Sequence, residues 1–212
     1  MNKKLKVLNL YAGIGGNRKL WNDNEVQITA VEHNPEIAKI YQDFFPNDKV
    51  IVGDAHQYLL EHYKEFDFIW SSPPCPTHSR ILTLKNAQGM ELKYPDMKLY
   101  EEIIFLTKWF KGKFCVENVR SYYDPLIKPQ EIGRHFYWAN FHISLKEERN
   151  QIVRNGKEVG KIDVKMNRIG IKVGNFYNYK GDKRQLINNC VEPKTGLDIF
   201  NCAFKESQVT LE

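Results

Sequence analysis

No stretch of this sequence approaches the ~20 consecutive apolar residues of a membrane span. Met1-Asn2-Lys3-Lys4-Leu5-Lys6 runs straight into an apolar strand without the apolar core of a signal peptide. A cytoplasmic protein with no membrane partner is the expectation. Cysteine is scarce, and Cys75, Cys115, Cys190 and Cys202 form no C-x-x-C pair and no Cys/His spacing suited to zinc. No metal is expected, and in a reducing compartment the four are thiols, three of them packing residues. Internal repeats and low-complexity tracts are also lacking, which excludes a repeat array.

What is present suffices for a core: 42% of the 212 residues are hydrophobic and 13% aromatic, enough for one domain that folds alone. The net charge of +5 is uneven. Residues 1–144 carry 18 basic and 17 acidic side chains, residues 145–186 carry 11 and 5, and residues 187–212 carry 2 and 4. The basic stretch reads either as a solvated face or as a phosphate-contacting surface. Short apolar runs at Lys6–Tyr11, Gln27–Glu32, Lys49–Val52, Phe66–Ser71 and Lys113–Glu117 alternate with helical periodicity at Pro35–Phe45, Ala55–Tyr63 and Met97–Phe110. Such alternation implies an α/β fold with a mostly parallel, doubly wound sheet and ligands at the carboxyl ends of the strands. Residues 1–144 read as the core, 145–186 as a small basic insert, and 187–212 as a segment that packs back, with Leu197, Phe200 and Phe204 at helical spacing. Phe136–Ile143 reads as a buried or edge strand. Its Tyr137 and Trp138 belong to the core or stack on bases.

Three features fall after three consecutive strands. Tyr11-Ala12-Gly13-Ile14-Gly15-Gly16 is a glycine turn, Glu32 is a strand-end carboxylate able to accept from both ribose hydroxyls, and Gly53-Asp54 offers an acceptor for an adenine amino group. Any one is commonplace; in register they indicate a nucleoside cofactor. The third glycine of the dinucleotide fingerprint is missing, which favours a methyl donor over NAD.

Ser72-Pro73-Pro74-Cys75-Pro76 then places a thiol on a loop, and Glu117-Asn118-Val119 places a carboxylate at the end of a later strand. Cys75 sits between prolines and is followed by Thr77, His78, Ser79 and Arg80, neighbours that a core cysteine rarely has. A thiolate that adds to carbon 6 of a cytosine activates carbon 5, and a protonated carboxyl near N3 relieves the charge that builds on the ring. Methyltransferases that act on base amino groups carry an aromatic residue where Cys75 stands.

In order and spacing these motifs resemble the DNA cytosine-5 methyltransferase family over roughly residues 6–120. The resemblance implies a Rossmann-like S-adenosylmethionine-dependent methyltransferase fold and S-adenosyl-L-methionine as cofactor. It implies that Tyr11 lies against the adenine, that Gly13, Gly15 and Gly16 line the methionine part, and that Glu32 takes the ribose and Asp54 the adenine, with Pro74 in the same pocket. Cys75 is the implied nucleophile and Glu117 the implied acid. The family's Arg-x-Arg element is matched only by Gly133-Arg134-His135-Phe136, which makes Arg134 its candidate, and the family's C-terminal Gly-Asn motif is approximated by Ile199-Phe200-Asn201-Cys202-Ala203. The implied partner is double-stranded DNA with a flipped cytosine, its flanking phosphates held by the basic segment and Arg80. A compact enzyme of phage or restriction-modification type is the expectation. Pro76 stands where the family usually has glutamine, and the missing length falls where the family keeps its target-recognition domain. The alternatives are the same chemistry on tRNA, and a cofactor-binding subunit that is non-catalytic or needs a partner for target recognition.

Overall fold

The apolar runs of the first 120 residues fold as parallel strands, β1 (Leu5–Leu10), β2 (Val26–Glu32), β3 (Lys49–Val52), β4 (Phe68–Ser71) and β5 (Lys113–Val119). Two further strands, β6 (Gln130–Ile132) and β7 (His135–Ala139), complete a seven-stranded sheet of order β3-β2-β1-β4-β5-β7-β6, with β7 antiparallel to both of its neighbours. The computed structural model describes residues 3–80, 93–145 and 179–204, together with Leu82, Gly89, Met166, Ile169, Gly170 and Phe176. Most of the basic stretch 145–186 lies outside the described residues.

From β1 the chain moves outward to β2 and β3, then returns to place β4 on the other side of β1. The order therefore reverses between β1 and β4, and the crevice at the carboxyl ends of these two strands is where an open α/β sheet binds its ligand. The loops that leave those ends, residues 11–16 and 72–75, are the glycine turn and the Pro-Cys loop.

The helices start where local capping directs. The Asn34 side chain accepts from the Glu36 and Ile37 N–H groups at 2.8 and 3.3 Å, and Pro35 opens α1 (Pro35–Phe44). Asp54 caps α2 (Ala55–His62) by accepting from the Gln57 N–H at 3.0 Å. α3 (Lys98–Trp109) follows, then α4 (Lys183–Asn188) and α5 (Pro193–Phe204).

Strand alternation sends successive side chains into two cores. One face sets Leu8, Leu10, Ile69, Phe114 and Val116 against α2 and α3 through Leu59, Leu99, Ile103 and Leu106. The other packs Val7, Phe68, Trp70 and Cys115 against Trp21 and against Ile199, Phe200 and Ala203 of α5. β7 lies inside the sheet and is not an edge. Tyr137 and Trp138 are buried, and the Trp138 Nε1–H donates to the Ile127 carbonyl at 2.8 Å, so both belong to the core and neither reaches a base. Among the described residues no helix is long and apolar enough to cross a membrane.

Candidate active site

Where β1 ends the backbone turns sharply, with Tyr11, Gly13 and Gly15 at φ of 53°, 54° and 78°. Glu32 at the end of β2 holds this turn by accepting from the Gly13 N–H at 2.9 Å through Oε2, and it accepts from the Asn34 N–H at 2.9 Å through Oε1. Each carboxylate oxygen keeps a second lone pair for a ligand hydroxyl. Tyr11, Gly13, Gly16 and Glu32 line a hollow of about 310 Å³. A Cβ at Gly16 would overlap Cys190 Sγ and the Val191 carbonyl oxygen, so this glycine lets the chain before α5 close one wall. Gly15 does not line the hollow; a Cβ there would overlap the Phe45 ring and stand 2.8 Å from Tyr41 Cε2. Its role is to let the turn pack on α1.

Asp54 and Pro74 line an adjoining hollow of about 300 Å³ that shares Tyr11, His33, Pro73 and Pro74 with the first. The backbone bond from Gln57 holds the Asp54 carboxyl below its ordinary pKa, so it remains an acceptor. The two cavities are of the size of small-molecule sites. Their donors and acceptors fit S-adenosylmethionine: a backbone turn of closely approaching glycines, a strand-end carboxylate and a second carboxylate beyond an aromatic ring.

Cys75 and Glu117 line the first hollow. The loop carrying Cys75 is held at several points. Trp70 Nε1–H donates to Ser72 Oγ at 2.9 Å, and Asn118 Nδ2 donates to the Pro73 carbonyl at 3.0 Å. The His78 and Ser79 N–H groups donate to the Cys75 carbonyl at 3.0 and 3.1 Å. Arg80 Nε–H donates to the Ser121 carbonyl at 3.1 Å, which ties that guanidinium to the protein beyond β5. Burial, reinforced by the Glu117 charge, pushes the half-buried Cys75 thiol above its ordinary pKa. Glu117 is buried at the end of β5, and desolvation raises its carboxyl, opposed by His135 and by a hydrogen bond with Ser72. The site therefore sets a carboxyl shifted toward its neutral form and a thiol in one hollow.

Two expected residues lie elsewhere. Arg134 is exposed and outside the hollow, its carbonyl accepting from the Arg120 N–H at 3.0 Å, while the next residue, His135, lines the hollow with Nε2 3.7 Å from Glu117 Oε1. Register explains the exchange: Glu117 pairs with Tyr137, and His135, two positions along β7, shares their face. Asn201 is exposed on α5 because Ile199, Phe200, Cys202 and Ala203 turn inward. The wall on that side comes instead from Asn188, Asn189, Cys190 and Val191, so Cys190 is a lining residue as well as a packing one. His135 carried a sequence signal, its place beside Arg134 in the same motif; the 188–191 segment carried none.

No curated protein matches this chain. Similar solved structures include a SAM-dependent methyltransferase from Agrobacterium tumefaciens, 14% identical with a TM-score of 0.43 over 58% of this chain and 41% of that one. Others are the S. pombe Dnmt2 methyltransferase, 19% identical with a TM-score of 0.39 over 55% and 34%, and a mutant of Spodoptera frugiperda DNMT2, 24% identical with a TM-score of 0.37 over 55% and 36%. The chain spans less than half the length of each of these three. Residues 5–129, more than half of the chain and all of β1 through β5 with the glycine turn and the Pro-Cys loop, match the family described as C-5 cytosine-specific DNA methylase, and it is to this family that the chain belongs.

Proposed function

We propose that the chain transfers a methyl group from S-adenosylmethionine to carbon 5 of a cytosine flipped out of double-stranded DNA, through a covalent Cys75 adduct. The observation that carries this reading is that Cys75 and Glu117, forty-two positions apart, line the same hollow as Tyr11, Gly13 and Glu32. The cofactor, held by the glycine turn, Glu32 and Asp54, supplies an electrophilic methyl group. Cys75 gives its proton to solvent water and its sulfur bonds to carbon 6, which makes carbon 5 the nucleophile that takes the methyl group. Glu117 gives its proton to N3 as charge develops there, and takes it back when the adduct breaks. Water then takes the carbon 5 proton, the C–H electron pair forms the C5–C6 double bond, and the thiolate leaves carbon 6, which restores the aromatic ring. Within a duplex carbon 6 is hidden in the stack, so the base must leave the helix before the sulfur can reach it.

The test uses labelled S-adenosylmethionine with unmethylated genomic DNA and, separately, with tRNA, followed by sequencing of the methylated positions. Label at carbon 5 of cytosine in DNA supports the reading; label in tRNA alone replaces DNA by RNA as substrate. Label in DNA only on addition of a second subunit assigns target recognition to that partner. Once a site is known, DNA bearing 5-fluorocytosine there forms a stable adduct with the native protein in the presence of S-adenosylmethionine, because after methyl transfer fluorine cannot leave as the proton does. Cys75→Ala forms none; an adduct with that variant overturns the nucleophile assignment.

A further inference from the structure

We infer that Glu102, which lines neither hollow, is a positioning residue for the cofactor site and acts through Tyr11, an inference that rests on the cofactor reading above. Glu102 lies on α3 and is fully buried, flanked on its helix by Leu99, Ile103 and Leu106 of the apolar core. A buried carboxylate in such company is costly unless its oxygens are hydrogen-bonded, and these are. Oε1 accepts from the Tyr11 hydroxyl at 2.6 Å and from His56 Nδ1–H at 3.1 Å, and Oε2 accepts from the Ser71 hydroxyl at 2.6 Å.

The three donors come from three different elements, and each stands next to a functional residue. Tyr11 follows β1, lines both hollows and is held at a φ of 53°, a conformation unfavourable for a residue with a side chain. His56 is the second residue of α2, whose cap is Asp54. Ser71 is the last residue of β4 and directly precedes the loop that carries Cys75. One carboxylate thus ties the aromatic wall to the second-hollow helix and to the end of β4. Bonds from hydroxyls to a carboxylate oxygen are short and strong, and the bond to Glu102 raises the His56 pKa. A residue chosen for packing alone would be apolar here; the carboxylate is explained by what it holds.

The test measures S-adenosylmethionine affinity by calorimetry, and kcat and KM for labelled methyl transfer to DNA, in wild type, Glu102→Gln, Tyr11→Phe and the double variant. Glu102→Gln is expected to weaken cofactor binding about tenfold, the value of one charge-assisted hydrogen bond, and to raise the cofactor KM while kcat at saturation stays within about threefold. Tyr11→Phe deletes the same bond, so the double variant binds no more than about twofold worse than Glu102→Gln. Wild-type affinity in Glu102→Gln, fully additive losses in the double variant, or a fall in kcat at constant KM each overturns the inference. If Glu102→Gln does not fold, Tyr11→Phe, which leaves the carboxylate in place, decides: an unchanged cofactor KM overturns the positioning role, and a raised one supports it. A wild-type chain that binds no S-adenosylmethionine overturns the proposed function, and this inference falls with it.

Discussion

Glu117→Gln keeps the size of the side chain and its capacity to hydrogen-bond, and removes its capacity to ionise and so to give up a proton. A positioned general acid contributes about 10²–10⁴ in rate, or about 3–5 kcal/mol of barrier. Glu117 has the burial to reach the upper part of that range, since desolvation already raises its carboxyl toward the neutral form. The reacting pair needs one proton shared between Glu117 and Cys75. With both groups protonated the sulfur is inert, and with neither protonated N3 receives no proton. The single-turnover rate therefore follows a bell. Its acid limb lies above the ordinary carboxylate value of 4.5 and its basic limb above the ordinary thiol value of 9.0. In Glu117→Gln the bell is lost, and the rate climbs with pH until Cys75 is ionised. That climb comes at lower pH than the wild-type basic limb, because the Glu117 charge that raises the thiol is gone. Single-turnover methyl transfer measured from roughly pH 5 to 10 checks this. A variant within about threefold of wild type across that range, or one that keeps the bell, refutes the acid role. Stability supplies a second reading. A carboxyl whose folded pKa is raised holds its proton longer in the folded state, so wild-type stability falls as pH climbs from the ordinary carboxylate value through the raised one. Glu117→Gln is expected to melt above wild type at pH values beyond that window, and equally with it below.

His135→Gln removes the group that lowers Glu117, so the acid limb of the same profile moves to higher pH; an unmoved limb refutes the coupling. Gly15→Ala combines a left-handed φ, which costs about 1–2 kcal/mol, with overlap on Phe45 and Tyr41, which costs about 1–3 kcal/mol. A loss of about 2–5 kcal/mol is expected in urea titration, with little change in S-adenosylmethionine affinity per folded molecule. Asn118→Ala leaves the Pro73 carbonyl without its 3.0 Å partner, at a cost of about 1–3 kcal/mol. Adduct formation on 5-fluorocytosine DNA is expected to slow more than cofactor binding weakens, because the loop that slackens carries Cys75.

Local chemistry made much of the fold legible. The run Lys6–Tyr11 is β1 at Leu5–Leu10, and the periodic stretch Pro35–Phe45 is α1 at Pro35–Phe44, because Asn34 and Pro35 determine where that helix can begin. The short β6 and α4 escaped, since three and six residues carry too little periodicity to read. The residues lining the first hollow were legible where a motif follows a strand, as with Gly13, Glu32 and Cys75. They were illegible where chain segments distant in sequence meet, as with the Asn188–Val191 wall.

The linear order of residues by itself determined the βα alternation, the parallel sheet and the thiol and carboxylate that the proposed chemistry uses, because these depend on period, capping and residue type. Tertiary structure alone decided that His135 faces Glu117 while Arg134 faces water, that Tyr137 and Trp138 are core, and that Glu102 ties together three elements. Each of those outcomes depends on strand register and on which surfaces meet. Burial, which raises the carboxyl of Glu117, exists only once those surfaces have closed around it.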